Sequence, residues 1–195
     1  MVAQTMEEKT PCKYSNDVIM RKLKNSELDR KSVDEFKTGD KLPFVVVLDN
    51  IRSLNNIGSF FRTGDAFLVE AVYLCGITGQ PPHNDIRKTA LGAEESVDWF
   101  YFEDTIDALK HLKDKDFVIV SIEQAEGSVA LQDFEIQEGK SYALVFGNEV
   151  KGVQQKVVDM SDYCVEIPQE GTKHSLNVSV TGGLVLWDFY RKFRF

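Results

Sequence analysis

The sequence is poor in the residues that most often announce a chemistry. Its three cysteines, Cys12, Cys75 and Cys164, lie far apart and include no CxxC pair. That argues against a zinc site or a disulfide framework and reads as buried or idle thiols in a reducing compartment. Histidine is equally sparse: His83 and His111 have the contexts of a loop and a helix surface, and only His174, beside Ser175, has a neighbour that points to a ligand. There is no GxSxG elbow, no HExxH and no convincing Cys–His pair, so the chemistries those motifs carry fall away. GxGxxG is missing too. Gly147 and Gly152 have the glycine spacing of a Walker A loop, but Val153 and Gln154 stand where Lys and Ser/Thr belong, and a phosphate-loop assignment fails on its own residues.

No apolar run approaches the roughly 20 residues that a bilayer-spanning helix needs. The opening residues, MVAQTMEEKTPCKYSND, lack the apolar segment of a secretion signal, so a soluble, cytoplasmic protein with no membrane partner is expected. Positive charge is also short. A net charge of -8 and a pI near 5.0 argue against a protein that grips nucleic acid over its whole surface. The acids are concentrated, however: residues 94–138 hold 13 of them against three lysines, which leaves the rest of the chain at about +2 and basic residues free to line one face.

What is present fits one α/β domain. At 195 residues and 43% hydrophobic, the chain can bury one proper core. Residues 1–40 read as an N-terminal helical extension, one or two helices with a modest pattern (Val18, Ile19, Leu23, Leu28) or an arm facing a substrate; residues 41–195 read as the main domain. PFVVVLD (43–49), EAVYLCG (70–76), SVDWFYF (96–102), FVIVSIE (117–123) and the start of YALVFGNEVKGV (142–153) read as strands. Between them, residues 57–67, 86–95, 105–113 and 153–160 have helical character. Strands alternating with helices at this interval predict a mainly parallel sheet flanked by helices.

Three stretches carry the polar residues of interest. In NIRSLNNIGSFFRTGDAF (50–67), Asn56 stands at a helix start with Arg62 six residues on, a pattern that also suits a plain cap and a surface arginine. In YALVFGNEVKGV, a buried strand runs into Gly147, Asn148, Glu149 and Gly152, at the strand end where open α/β sheets bind ligands. IPQEGTKHSLNVSVTGGLVLW (167–187) reads as a strand end, a tight loop and a helix start. Ser175 and Asn177 there are capping residue types that could equally hold a polar ligand. Gly182 and Gly183 each cost about 1 kcal/mol in a helix, which implies a close approach to that backbone.

Taken together, N-x-G-x-x-x-R (Asn56, Gly58, Arg62), F-G-N-E-x-x-G (Phe146 to Gly152) and I-P-x-x-G-x-x-x-S-L-N-V-S-V (Ile167 to Val180) resemble, in order and spacing, the three motifs of the SpoU, or TrmH-like, branch of the SPOUT methyltransferases, from Pro43 to the C-terminus. The resemblance implies S-adenosyl-L-methionine as methyl donor with no metal, an RNA ribose 2'-hydroxyl as acceptor, a homodimer, and a C-terminal segment threaded as a deep trefoil knot. It assigns Gly147, Ile167 and Leu176 to the donor, with Ser121 and Ile122 at the head of the SIEQAEGS segment, and Asn56, Arg62, Glu149, Ser175 and Asn177 to the reaction centre.

A restricted basic face is expected to meet the RNA: Arg52, Arg62, Arg87, Lys88, Lys151, Lys173 and the tail residues Arg191, Lys192 and Arg194. The compact architecture looks like that of small tRNA-modifying members, which puts tRNA ahead of rRNA. Two rival readings are a catalytically silent RNA-binding or assembly factor on the same fold, separable by whether the donor binds, and a small-molecule methyltransferase, which would have no use for the basic residues.

Overall fold

The run FVVVLD forms β1 (Phe44–Asp49), and all six residues are buried, as a β-branched strand covered on both faces should be. Around it lies a seven-stranded, wholly parallel sheet in the order β3-β2-β1-β6-β4-β7-β5. The other strands are β2 (Ala71–Cys75), β3 (Asp98–Phe102), β4 (Phe117–Ile122), β5 (Val129–Ala130), β6 (Ser141–Phe146) and β7 (Tyr163–Glu166). This computed structural model describes residues 21–195. Within them Lys31–Phe195 form one compact unit, and the stretch before it holds a short 3-10 turn at Asn25–Glu27 closed by an Arg21–Glu27 ion pair. The helical pattern expected at Val18 and Ile19 lies outside the described residues.

Helices cover both faces. On one, α1 (Val33–Thr38), α2 (Leu54–Ala66), α3 (Asn84–Ala90), α4 (Ala93–Ser96) and α7 (Val178–Arg194) enclose a core that includes Phe36, Phe44, Phe60, Phe146 and Phe189. On the other, α5 (Thr105–Lys113) and α6 (Gln155–Val158) pack Leu109, Leu112 and Val157 against Tyr73 and Ala143. Among the described residues no helix is long and apolar enough to cross a membrane.

Several expectations are adjusted. The helix foreseen at 86–95 is two helices, because Leu91 and Gly92 both adopt left-handed backbone angles between them. The helix after the glycine turn is one short turn, Gln155–Val158. The aromatic strand is the sheet's edge, which leaves Phe100 and Tyr101 exposed. Strand β5, two residues long, carries no periodic signal. The paired glycines divide their roles: a Cβ at Gly182 would strike the Phe60 ring, whereas one at Gly183 would meet nothing. Gly182 therefore admits the close packing of α7 on α2, which Phe67 extends by stacking near Trp187 and Tyr190.

Candidate active site

The pairing registers align the strand ends that carry the candidate residues. Leu48 pairs with Phe146, Phe146 with Ile122, and Ile122 with Val165. Strands β1, β6, β4 and β7 therefore end at one level, and β1, β6 and β7 deliver the three motif-bearing loops to the carboxyl edge of the sheet, the ligand-binding edge of open α/β folds. These are the Asn50–Ser53 loop, the Gly147–Gln154 turn and the Ile167–Asn177 loop.

Glu149 stitches them. Its carboxylate accepts from the backbone N–H of Arg52 (3.0 Å) and Ser53 (2.9 Å) and from Nδ2 of Asn56 (3.0 Å), residues more than 90 positions earlier in the chain. Asn177 Nδ2 in turn donates to Asn56 Oδ1 at 3.3 Å, and Asn177 Oδ1 caps α7 by accepting from the N–H groups of Ser179 and Val180. Burial pushes the Glu149 carboxyl upward, but the N–H groups of Arg52 and Ser53 and the Asn56 amide outweigh it and hold the group below the usual carboxylate range. Asn148 closes the same seam, donating to the Asn50 carbonyl at 2.7 Å while its Oδ1 accepts from Val150 and Lys151.

Beneath this seam Asp49, fully buried at the end of β1, accepts from Thr105 Oγ1, from Gln154 Nε2 and N, and from Asn50 Nδ2. The turn itself depends on glycine: a Cβ at Gly147 would collide with the backbone of Gly152 and Val153, and one at Gly152, at φ +67, with the Glu123 carboxylate.

The sequence-derived residues fall into two groups. Asn56, Glu149 and Asn177 come together, but Asn56 is not the helix cap. Ser53 takes that place, accepting from the Asn56 N–H, which frees the Asn56 side chain for Glu149 and Asn177. Gly147 and Ile167 follow the ends of β6 and β7, the two strands that flank β4, and Leu176 sits 39% exposed in the loop before α7. Ile122 is buried at the end of β4; the Ser121 side chain is buried as well and bonds Ser161 at 2.7 Å.

Arg62 and Ser175 stand apart. Both are exposed, and neither side chain has a hydrogen bond or ion pair among the described residues. Six residues of α-helix carry Arg62 about 9 Å along α2 and roughly 240° around it from Asn56, so the two side chains leave the helix in different directions.

Of the expected basic face, Arg87, Lys88, Arg191 and Lys192 pair with carboxylates, whereas Arg52, Arg62, Lys151, Lys173 and Arg194 have no ion-pair partner among the described residues. Cys75 is buried beside Asp49, and that burial, with the nearby charge, pushes its thiol up to about 12, which removes it as a nucleophile at neutral pH. Ser53, Asp49 and Glu123 escaped the sequence reading, because the Glu149 that takes the Ser53 N–H, the Gln154 that bonds Asp49 and the Val153 that bonds Glu123 are remote in the chain. The only sequence cue was an acidic residue ending each of two buried runs, FVVVLD and FVIVSIE.

Known proteins are similar to this chain in sequence and in fold. A relative from Staphylococcus saprophyticus, assigned to the TrmH family of tRNA/rRNA methyltransferases, is 30% identical over 82% of this chain and 63% of its own length. The Vibrio vulnificus 23S rRNA (guanosine-2'-O-)-methyltransferase RlmB is 26% identical over 98% of this chain and 76% of its own. The crystal structure of the AdoMet-bound rRNA methyltransferase from Sinorhizobium meliloti superposes with a TM-score of 0.73 at 25% identity, over 78% of this chain and 57% of that one. This chain thus spans about three-fifths to three-quarters of the length of these proteins. The SpoU rRNA Methylase family model matches residues 43–187, from the start of β1 to the outer turn of α7 and through all three stitched loops, and the chain belongs to that family.

Proposed function

We propose that the chain methylates a ribose 2'-hydroxyl in RNA with S-adenosyl-L-methionine as donor, and that tRNA is the acceptor ahead of rRNA. The observation that carries this reading is the Glu149–Asn56–Asn177 seam, which draws the three motif loops into one cup at the ends of β1, β4, β6 and β7. Support comes from the relatives: one is named for guanosine-2'-O-methylation of 23S rRNA, another is assigned to a tRNA/rRNA family, and a structural neighbour is described as AdoMet-bound. The cup's chemistry fits an adenosyl donor. Gly147 and Gly152 keep the turn compact, since a Cβ at either would collide, and beside it the half-buried Ile167 and the exposed Leu176 offer apolar surface for an adenine ring.

S-adenosylmethionine, when bound, supplies an electrophilic methyl group. The chain's residues supply position and charge. Gly147, Ile167, Leu176 and Ile122 hold the donor, while Ser121 keeps β4 in place through Ser161. Asn56, Glu149 and Asn177 fix the loops. Arg62 binds the phosphate next to the target ribose and stabilises the oxygen as it loses its proton. Ser175 bonds the ribose, and Arg52, Lys151 and Lys173 meet neighbouring phosphates.

Arg62 does its work in a second copy of the chain. On α7, Val180, Leu184 and Trp187 form an exposed apolar row at helical spacing, with the open Gly183 inside it. A twofold mate that covers that row would supply the second cup that the unpartnered Arg62 serves. The return of the chain from β7 to lay α7 on α2 supports a threaded C-terminus.

The test is mass-spectrometric mapping of ribose methylation in tRNA and rRNA from cells with and without the gene. One 2'-O-methyl mark should disappear from a tRNA. A mark lost from rRNA would move the acceptor, and no lost mark, with no donor binding by calorimetry, would favour the silent RNA-binding reading.

A further inference from the structure

Glu123, just past the end of β4, is a carboxylate that the seam does not use. Strand β4 lies between β6 and β7, and its last residue, Ile122, pairs with Phe146 on one side and Val165 on the other. The next residue, Glu123, extends the ladder by donating its N–H to the Val165 carbonyl at 3.1 Å. It therefore leaves the sheet between Gly147 and the Glu166–Ile167 end of β7, in the middle of the loops assigned to the donor.

Its side chain is half-buried and turned toward the glycine turn. Oε2 accepts from the Val153 N–H at 2.9 Å, Oε1 from the Gln124 N–H at 2.9 Å, and Gly152 must lack a Cβ for the carboxylate to sit there. Gln124 closes the third side by donating from Nε2 to the His174 carbonyl at 3.1 Å. Among the described residues no cation pairs with Glu123. An ionised carboxylate offers about four acceptor positions; two are taken, and the rest face no donor of this chain.

We propose that Glu123 is a donor-recognition residue whose carboxylate accepts hydrogen bonds from the vicinal hydroxyls of the donor's ribose. An acceptor-only fork matches a diol, which presents two O–H donors side by side, and it discriminates against a sugar that lacks one of them. The same acid–diol logic operates where a carboxylate at a strand end of a nucleotide-binding sheet reads a ribose. This inference rests on the adenosyl-donor reading above and adds the residue that reads the sugar.

The experiment is titration calorimetry on the full chain with S-adenosylhomocysteine and with its 2'-deoxy and 3'-deoxy analogues. The wild-type chain should bind the parent compound and lose about ten- to a hundredfold in affinity on losing a hydroxyl, the scale of a hydrogen bond to a charged group. Glu123→Ala should bind the parent more weakly by a similar factor and no longer distinguish parent from analogues; Glu123→Gln, which keeps one acceptor, should fall between. Equal binding of all three compounds by the wild-type chain would overturn the assignment, whatever the variants do. So would a Glu123→Ala chain that keeps the full discrimination. Absence of binding of S-adenosylhomocysteine itself by the wild-type chain would overturn the donor reading and this inference with it, an outcome distinct from the other two.

Discussion

The carboxyl edge of the sheet and the outer faces of α2 and α7 stand in opposite conditions. In the loops, Asn56, Glu149, Asn177, Asn148 and Asp49 spend their hydrogen-bonding capacity on one another and on the backbone. On the outer faces, Arg62, Val180, Leu184 and Trp187 are exposed, and Arg62 has no partner among the described residues. The first region is satisfied within one chain; the second, among the described residues, is not, and the proposed function gives it to an RNA and a second copy. The contrast divides the motif residues themselves, since Asn56, Asn148, Glu149 and Asn177 are bonded within the chain while Arg62 has no partner among the described residues.

Arg62→Ala should break that contrast most sharply. Loss of the cation should lower methylation by about 10²–10³-fold, while unfolding free energy stays within about 0.5 kcal/mol, as for an exposed side chain without packing duties. Parallel methylation assays and denaturant melts read both. A large stability loss would return Arg62 to the structural class.

The glycine pair offers the next test. Gly182→Val forces a side chain into the Phe60 ring and should cost about 1–3 kcal/mol by overpacking. Gly183→Val at the open neighbour should cost less in the unfolding of one chain and should instead weaken self-association in sedimentation.

Glu149→Ala should follow, at about 1–2 kcal/mol, because two N–H groups and the Asn56 amide lose a charged acceptor. Its pH dependence has a definite sign. The folded carboxyl lies below its ordinary value of 4.5, so its stabilising contribution is complete above that value and disappears as the pH falls through the depressed folded one. A Glu149→Gln chain should lack this part of the acid-side loss.

The smallest effect is expected at Asn177→Asp, which keeps the acceptor for the α7 N–H groups but removes the donor to Asn56. A loss below about 1 kcal/mol, against about 1 kcal/mol for Asn177→Ala, which also removes the cap, would assign the two bonds separately.

Legibility in the sequence followed the range of the interaction. The strands around Phe44–Asp49 and Ser141–Phe146 were plain from unbroken β-branched and apolar runs, because burial on both faces imposes that composition locally. The C-terminal helix was plain from Asn177 and the apolar spacing after it. The edge strand β3 was recognised as a strand but not as an edge, since alternation says nothing about which neighbour is missing. The glycine-bounded helix expected after Gly152 shrank to one turn because Asp49, far earlier in the chain, takes the Gln154 N–H and side chain.

At the site, the motif residues were visible as types and their division of labour was not. Asn56 looked like a cap because nothing near it revealed Ser53 as the better one or Glu149 as its partner. Arg62 looked like a neighbour of Asn56, and only the helix geometry turns it outward.

The most direct measurement of the division between a finished cup and an arginine lent by a second copy is complementation between two inactive chains. Arg62→Ala keeps an intact cup, and Leu176→Glu spoils the donor loop while keeping Arg62. Refolded together, they form mixed dimers in which one of the two sites has both parts. About a quarter of the wild-type methylation should return, given random pairing. Activity no higher than that of either chain alone, with mixed dimers present, would contradict the account.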